Sequence, residues 1–184
     1  MRLGEAAALQ VWDINFLRRT LTVTRQVQRG GPGGVIEIRP PKYGSERTVY
    51  LADGLVQILA AHVAAYCPGS DPRRWLFGFG EDVPVHNWSV GHWWRKTRQA
   101  AGYDGIRLHD LRHYYASGLI AAGCDVVTVQ RALGHSSAGV TLNTYSHLWP
   151  TAEDRTRAAA ASMMAEALEP AVEAGHRAGS SLAD

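Results

Sequence analysis

Lysine is nearly missing from this chain. Lys42 and Lys96 are the only two, so arginine carries almost all of the positive charge. Arginine grips phosphate through a planar two-pronged fork that lysine cannot form. A GC-rich genome that favours arginine codons gives the same bias. Cysteine is also scarce. Cys67 and Cys124 form no CxxC pair and no disulfide framework, which excludes a disulfide-stapled scaffold and points to a reducing cytosol. No apolar run approaches the ~20 residues of a membrane helix. The longest, Leu55 to Tyr66, contains Gln57 and His62. No basic-then-apolar signal segment opens the chain, so a cytoplasmic location away from membranes is expected. There is no internal repeat.

What is present suits one domain with a hydrophobic core plus a tail. The chain has 184 residues, 46% of them hydrophobic, which is too apolar for disorder. The net charge of +2 is unevenly placed. Residues 1–150 hold 16 Lys and Arg against 11 Asp and Glu, a net of +5, while residues 151–184 hold 3 against 6, a net of −3. The basic part is a weak footprint for nucleic acid.

The pattern predicts an α+β fold, mainly helical, with a small three-stranded antiparallel sheet near the N-terminus. Leu3 to Val11 reads as a helix. Thr20 to Val27 alternates and is β-branched, and Val35 to Ile38 and Arg47 to Leu51 follow as further strands. Turns over Arg29 to Gly34 and Pro40 to Ser45 would join them into a meander. Trp75 to Phe77 reads as a short buried piece. Helices are expected over Asp53–Tyr66 with Asp53 as cap, His86–Ala101, His109–Ala122, a short one capped by Asp125 and stopped at Gly134, and Ala138–His147. A last helix is expected from Pro150-Thr151 to Leu168, with a Thr151–Asp154 capping contact. Residues 170–184 read as a frayed or disordered tail.

Three short motifs carry chemistry. In His109-Asp110-Leu111-Arg112-His113, His109 and Arg112 are three apart and share a helix face. A histidine beside an arginine makes a phosphate-binding pair with a proton carrier, although one pentad alone is more readily a polar helix face with a satisfied histidine. In Leu133-Gly134-His135-Ser136-Ser137, Gly134 permits a positive φ that re-aims His135. Tyr145 follows in Thr144-Tyr145-Ser146-His147. Taken alone it is an ordinary packed helical tyrosine.

In this order, H-x-x-R, L-G-H-S-S and T-Y-S-H resemble the signature of the tyrosine recombinases, the phage-integrase family. Two upstream segments extend the resemblance. Met1 to Ala6, with Leu9 and Trp12-Asp13-Ile14, is similar to the segment carrying the family's first catalytic arginine, which falls on Arg2. Pro41-Lys42, with Arg47-Thr48-Val49, is similar to the hairpin carrying the catalytic lysine, which falls on Lys42. The match covers roughly residues 1–150.

The resemblance implies an integrase-type catalytic domain over 1–150 and a C-terminal helix and tail over 151–184. It implies site-specific cleavage and rejoining of double-stranded DNA through a 3′-phosphotyrosyl intermediate, with no metal or other cofactor. Arg2 and Arg112 would clamp the non-bridging phosphate oxygens, and His135 would donate to the same oxygens. Tyr145 would attack, His109 would take its proton, and Lys42 would protonate the leaving 5′-oxygen. A homo-oligomer, a tetramer on DNA, is the expected assembly, with the helix after Tyr145 docking on a neighbour or packing in cis. Family members also carry an N-terminal helical domain that closes around DNA. This chain begins one residue before Arg2, so an N-terminally truncated domain is expected.

Other readings compete. A truncated, catalytically impaired remnant would keep the fold. A non-catalytic DNA-binding module would use the helix Asp125 to Leu133, the turn at Gly134 and the helix Ala138 to His147 as a helix-turn-helix. His109 and His113 also mimic the i, i+4 histidines of zinc proteases, with Asp110 in place of glutamate. Trp88, Trp93 and Trp94 near Arg95, Lys96 and Arg98 would flank DNA or pack as a half-buried face. His86, His92 and His113 have no partner assignable from the sequence.

Overall fold

The computed structural model describes the backbone over residues 1–29, 35–79 and 83–179. The chain forms two compact units, Met1–Ser146 and His147–Asp184. The first unit opens with α1 (Leu3–Ala7), shorter than expected. The segment after it turns away from helix to pair with a distant stretch: the Leu76 amide donates to the Leu9 carbonyl at 2.8 Å, and the Val11 amide to the Arg74 carbonyl at 3.0 Å. Gly4 lets α1 lie directly on the third strand. A Cβ there would stand 2.6 Å from the Val27 carbonyl oxygen.

A three-stranded antiparallel sheet near the N-terminus is present, but its membership differs from the expected meander. Its strands are β1 (Ile14–Asn15), β2 (Thr20–Val23) and, after β3 (Gln26–Arg29) and β4 (Ile36–Arg39), β5 (Arg47–Tyr50), in the order β1-β2-β5. β3 and β4 form a separate two-stranded sheet. The stretch read as one strand from Thr20 to Val27 is therefore two. Leu21 and Val23 enter one core and Val27 another. Between them Arg25 is pinned to the buried Asp13 carboxylate at 2.7 Å. From residue 30 to residue 34 the expected glycine-rich turn lies outside the described residues.

α2 (Asp53–Tyr66) covers the sheet, burying Leu59 against Leu9, Leu21, Leu51 and Leu76. Its cap is Ala52 rather than Asp53, whose carboxylate instead takes Arg19 at 2.8 Å. A two-stranded ladder, β6 (Gly78–Phe79) with β7 (Val83–Pro84), leads into α3 (Asn87–Ala100), which is capped by His86 Nδ1 accepting from the Trp88 amide. α4 (Asp110–Ala121), α5 (Val126–Leu133) and α6 (Ala138–Tyr145) follow close to their expected bounds. Asp125 caps α5 by accepting from the amides of Val127 and Thr128 at 2.8 and 2.9 Å.

In the second unit, α7 spans Ala152–Gly179. Thr151 Oγ1 accepts from the Asp154 amide and donates to its carboxylate, as the sequence predicts. The helix expected to end near Leu168 continues past Pro170, carried by the Ala- and Glu-rich stretch that follows. Residues 180–184 of the expected tail lie outside the described residues. No described helix is long and apolar enough to cross a membrane.

Candidate active site

The site is organised around the C-terminal end of α5. The last carbonyls of a helix lack intrahelical partners and carry partial negative charge. Here three guanidinium groups from different elements take three successive carbonyls. Arg47 Nε, on β5, donates to Ala132 at 3.3 Å. Arg112 Nη2, on α4, donates to Leu133 at 2.7 Å. Arg2 Nη2, at the start of α1, donates to Gly134 at 3.1 Å. Gly134 ends the helix at φ +67°, and a Cβ on it would stand 2.6 Å from Arg47 Nη1. Both the backbone conformation and the room for Arg47 require glycine.

One carboxylate sits among these cations. Glu5 is fully buried and accepts from the Arg2 amide at 2.8 Å, Arg2 Nη1 at 2.9 Å, Arg47 Nη2 at 2.7 Å and Arg47 Nη1 at 3.3 Å. Burial pushes its pKa up, and the hydrogen bonds from Arg47 and Arg2 more than offset this, leaving it below the usual value. Three arginines thus face a single carboxylate. Arg112 is 7% exposed, and its Nη1 has no hydrogen-bond partner among the described residues. Burial, then the charge of Arg2, lowers its pKa to about 10, so it remains a cation at neutral pH.

His135 leaves the Gly134 turn with its amide on the Gln130 carbonyl at 3.1 Å. Its Nδ1 lies 2.9 Å from Oγ1 of the fully buried Thr141. Burial, followed by the charges of Arg112, Arg2 and Arg47, lowers its pKa to about 4. The ring is neutral at pH 7, and in the tautomer whose Nδ1 accepts from Thr141 its Nε2 carries a proton to donate.

Tyr145, at the end of α6, is 4% exposed, and its hydroxyl lies 2.7 Å from His113 Nδ1. Burial raises its pKa above the usual phenol value despite an opposing effect from Arg112. The histidine on the hydroxyl is therefore His113, one of three that had no partner assignable from the sequence, and not His109. His109 is exposed at the start of α4 and stands edge-on to His113, 5.1 Å between ring centres. The helix explains the exchange. His113 lies one turn further into α4 and reaches α6, while His109 stays at the rim. Partial burial, then His113 and Arg112, lowers the His109 pKa.

Lys42 is exposed on a 3-10 turn, Lys42–Gly44, between β4 and β5, and takes no part in the hydrogen bonds of the arginine cluster. Arg2, His109 and Arg112 line one side of a cleft of about 660 Å³, whose other walls, including Phe77, Val85 and Trp93, are apolar. Trp94 is anchored by its indole N–H on the Ile106 carbonyl at 3.0 Å, whereas Trp88 and Trp93 remain 71% and 46% exposed. Among the described residues no cluster of three or more His, Cys, Asp or Glu could hold a metal ion.

The sequence profile described as the phage integrase family matches residues 1–151. The chain belongs to this family. It is 32% identical over 148 residues to the tyrosine recombinase XerD of Corynebacterium glutamicum, covering 80% of this chain and 44% of that protein. To the tyrosine recombinase XerA of Pyrococcus furiosus it is 27% identical over 143 residues, covering 77% of this chain and 44% of that protein. The chain thus spans less than half the length of these curated relatives. Two solved structures share its fold. One is the Tn1549 transposon integrase in complex with transposon right end DNA, with a TM-score of 0.70 and 21% identity over 89% of this chain and 55% of that one. The other is the XerA recombinase, with a TM-score of 0.60 and 22% identity over 82% and 52%.

Four residues of this candidate site were not singled out from the sequence as parts of it: Glu5, Arg47, His113 and Thr141. Glu5 had a local signal, since it stands three residues after Arg2 in the first turn of a helix. Arg47 lay inside the quoted hairpin segment, and His113 inside the quoted pentad. Nothing in the sequence distinguishes Thr141 from any other helical threonine.

Proposed function

We propose that this chain is the DNA-cleaving and rejoining part of a site-specific tyrosine recombinase. The observation that carries this reading is the buried Nη1 of Arg112, without a hydrogen-bond partner among the described residues, inside a cluster of three guanidinium groups and one carboxylate and near the buried Tyr145. Such a cluster is short of negative charge, and a phosphodiester supplies it. Arg2 and Arg112 clamp the two non-bridging oxygens, and the Nε2–H of His135 donates to the same oxygens. Each of these donors gains most where charge accumulates in the transition state. His109, at the rim of the cleft, adds a donor to the DNA backbone.

Tyr145 forms the new O–P bond. The P–O5′ bond breaks, leaving a 3′-phosphotyrosyl link and a 5′-oxygen that takes its proton from Lys42, brought in from its exposed turn when DNA binds. A 5′-hydroxyl of a partner strand reverses the step without loss of bond energy. The acting unit is a homo-oligomer, a tetramer, on double-stranded DNA in the cytoplasm. The likeness to recombinase folds and the arginine-rich first 150 residues support the choice of DNA.

The test is covalent capture. Purified chain is incubated with nicked suicide duplexes of randomised sequence, and protein-linked DNA that survives denaturation is recovered and sequenced. An adduct on Tyr145, absent from Tyr145→Phe, is expected. Absence of any adduct, also with an upstream helical domain of a relative supplied, sinks the reading.

A further inference from the structure

The Tyr145 hydroxyl meets a different histidine from the one that the family resemblance implies as its base. We propose that His113, not His109, is the general base that takes the Tyr145 proton during attack. This rests on the strand-cleavage reading above and adds one group to it.

The geometry is direct. His113 Nδ1 stands 2.7 Å from the Tyr145 hydroxyl, within the range in which a base can abstract a proton. The two rings are tilted by 58° with centres 5.6 Å apart, so the contact is made edge to hydroxyl and not by stacking. His113 sits in the first turns of α4 and Tyr145 in the last residue of α6, and the bond ties the two helices together. Tyr145 is 4% exposed, so most of its ring is packed inside the domain. His113 is half-buried, so the imidazolium formed by proton uptake keeps some contact with solvent. His109 approaches this pair only through its edge contact with the His113 ring.

The step balances simply. The phenolic O–H bond breaks as the O–P bond forms, and the proton passes to Nδ1. The electron pair of the P–O5′ bond leaves with the 5′-oxygen, which is protonated from elsewhere. On rejoining, Nδ1 returns its proton to the tyrosine oxygen as the O–P bond breaks. This requires the tautomer with Nδ1 bare and the proton on Nε2. The charged and titratable groups around His113 include His109, Asp110 and the Arg112 cation on its own helix, His135 after α5, and Tyr145 on α6. His135, with its pKa lowered to about 4, adds no positive charge beside His113 at pH 7.

Two measurements test this. Nitrogen-15 spectra of the unliganded chain report the His113 tautomer, and a bare Nδ1 is expected. A proton found on Nδ1, with the phenol oxygen accepting, overturns the proposal. The second is the rate of adduct formation on a duplex recovered by covalent capture. His113→Asn keeps a hydrogen-bond acceptor but cannot take a proton. It should fall as far as His113→Ala, by about 10²–10⁴-fold, with DNA retention unchanged and with added imidazole restoring part of the alanine variant's rate. His113→Asn at the wild-type rate shows a merely structural role and overturns the proposal alone. Full loss in His109→Ala with His113→Ala unaffected also overturns it. A wild-type chain that forms no adduct overturns the strand-cleavage reading, and this one with it.

Discussion

Arg2 and Arg112 donate to adjacent carbonyls, those of Gly134 and Leu133, at the end of one eight-residue helix. The two arginines proposed to hold a phosphate are therefore aligned by a shared backbone feature and not by contact with each other. Arg47 takes the carbonyl before them and returns its other nitrogens to Glu5. Helix end, carboxylate and three guanidinium groups form one unit, and a change in any part is felt at the others.

Glu5 is the part whose loss costs most. Glu5→Ala leaves Arg2 and Arg47 without their counter-charge in a buried setting. Removing one partner of a buried ion pair typically destabilises by about 3–5 kcal/mol. Urea unfolding of the two chains should show a loss in that range. Glu5→Ala at wild-type stability would mean that the carboxylate does not carry the cluster's charge balance.

Gly134 and Gly123 separate two effects of a side chain. Both have positive φ, +67° and +84°, but an added Cβ at Gly123 meets nothing within 4 Å, while at Gly134 it meets the Arg47 guanidinium. Gly123→Ala should cost about 1–2 kcal/mol, from the left-handed backbone alone. Gly134→Ala should cost more and should also weaken adduct formation, because Arg47 must shift, and with it the helix end whose next two carbonyls hold Arg112 and Arg2. Equal losses of stability with unchanged cleavage would sever Gly134 from the arginine cluster.

What the sequence made legible was local. The Gly134 turn, the Asp125 cap and the Thr151–Asp154 contact each depend on a few neighbouring residues, and each is found where it was expected. Arg2, Arg112 and His135 were legible as an ordered set of motifs, and the fold brings them to one helix end. The failures are long-range. The alternation from Thr20 to Val27 is interrupted at Arg25, which stands where an apolar residue would continue it, and the strand ends where Arg25 pairs with Asp13, twelve positions back. His113 lay in plain view, but its partner is 32 positions away on another helix. A histidine's role is set by what faces each ring nitrogen, which spacing within one helix does not encode.

Lys42 is exposed and outside the cluster's hydrogen bonds, so its role and its contribution to stability are separable. Lys42→Ala should leave urea unfolding within about 0.5 kcal/mol of wild type. Its adduct formation should fall by about 10²–10⁴-fold if it protonates the 5′-oxygen. A substrate with sulfur in place of the bridging 5′-oxygen has a leaving group that needs no proton, so it should restore most of the rate. A variant that stays slow on the sulfur substrate would show that Lys42 serves binding and not proton transfer.

His135 makes stability depend on pH in a direction that can be worked out. Its pKa in the folded chain is about 4, against about 6.5 unfolded. Between those values the unfolded chain binds more protons than the folded one, so stability rises with pH. The contribution is fully present above about pH 6.5 and is lost as pH falls toward 4. Glu5, whose pKa is also lowered, adds a loss in the same direction once the pH enters the carboxylate range. Melting temperature should therefore decline from pH 7 to pH 5, before most carboxylates titrate. His135→Gln, which cannot acquire the charge, should flatten that part of the curve. Adding inorganic phosphate should flatten it as well in the wild-type chain. An anion beside Arg2, Arg112 and His135 offsets the repulsion that keeps the imidazole neutral, and so raises its pKa toward the unfolded value. An unchanged slope in His135→Gln would assign the pH dependence to other groups.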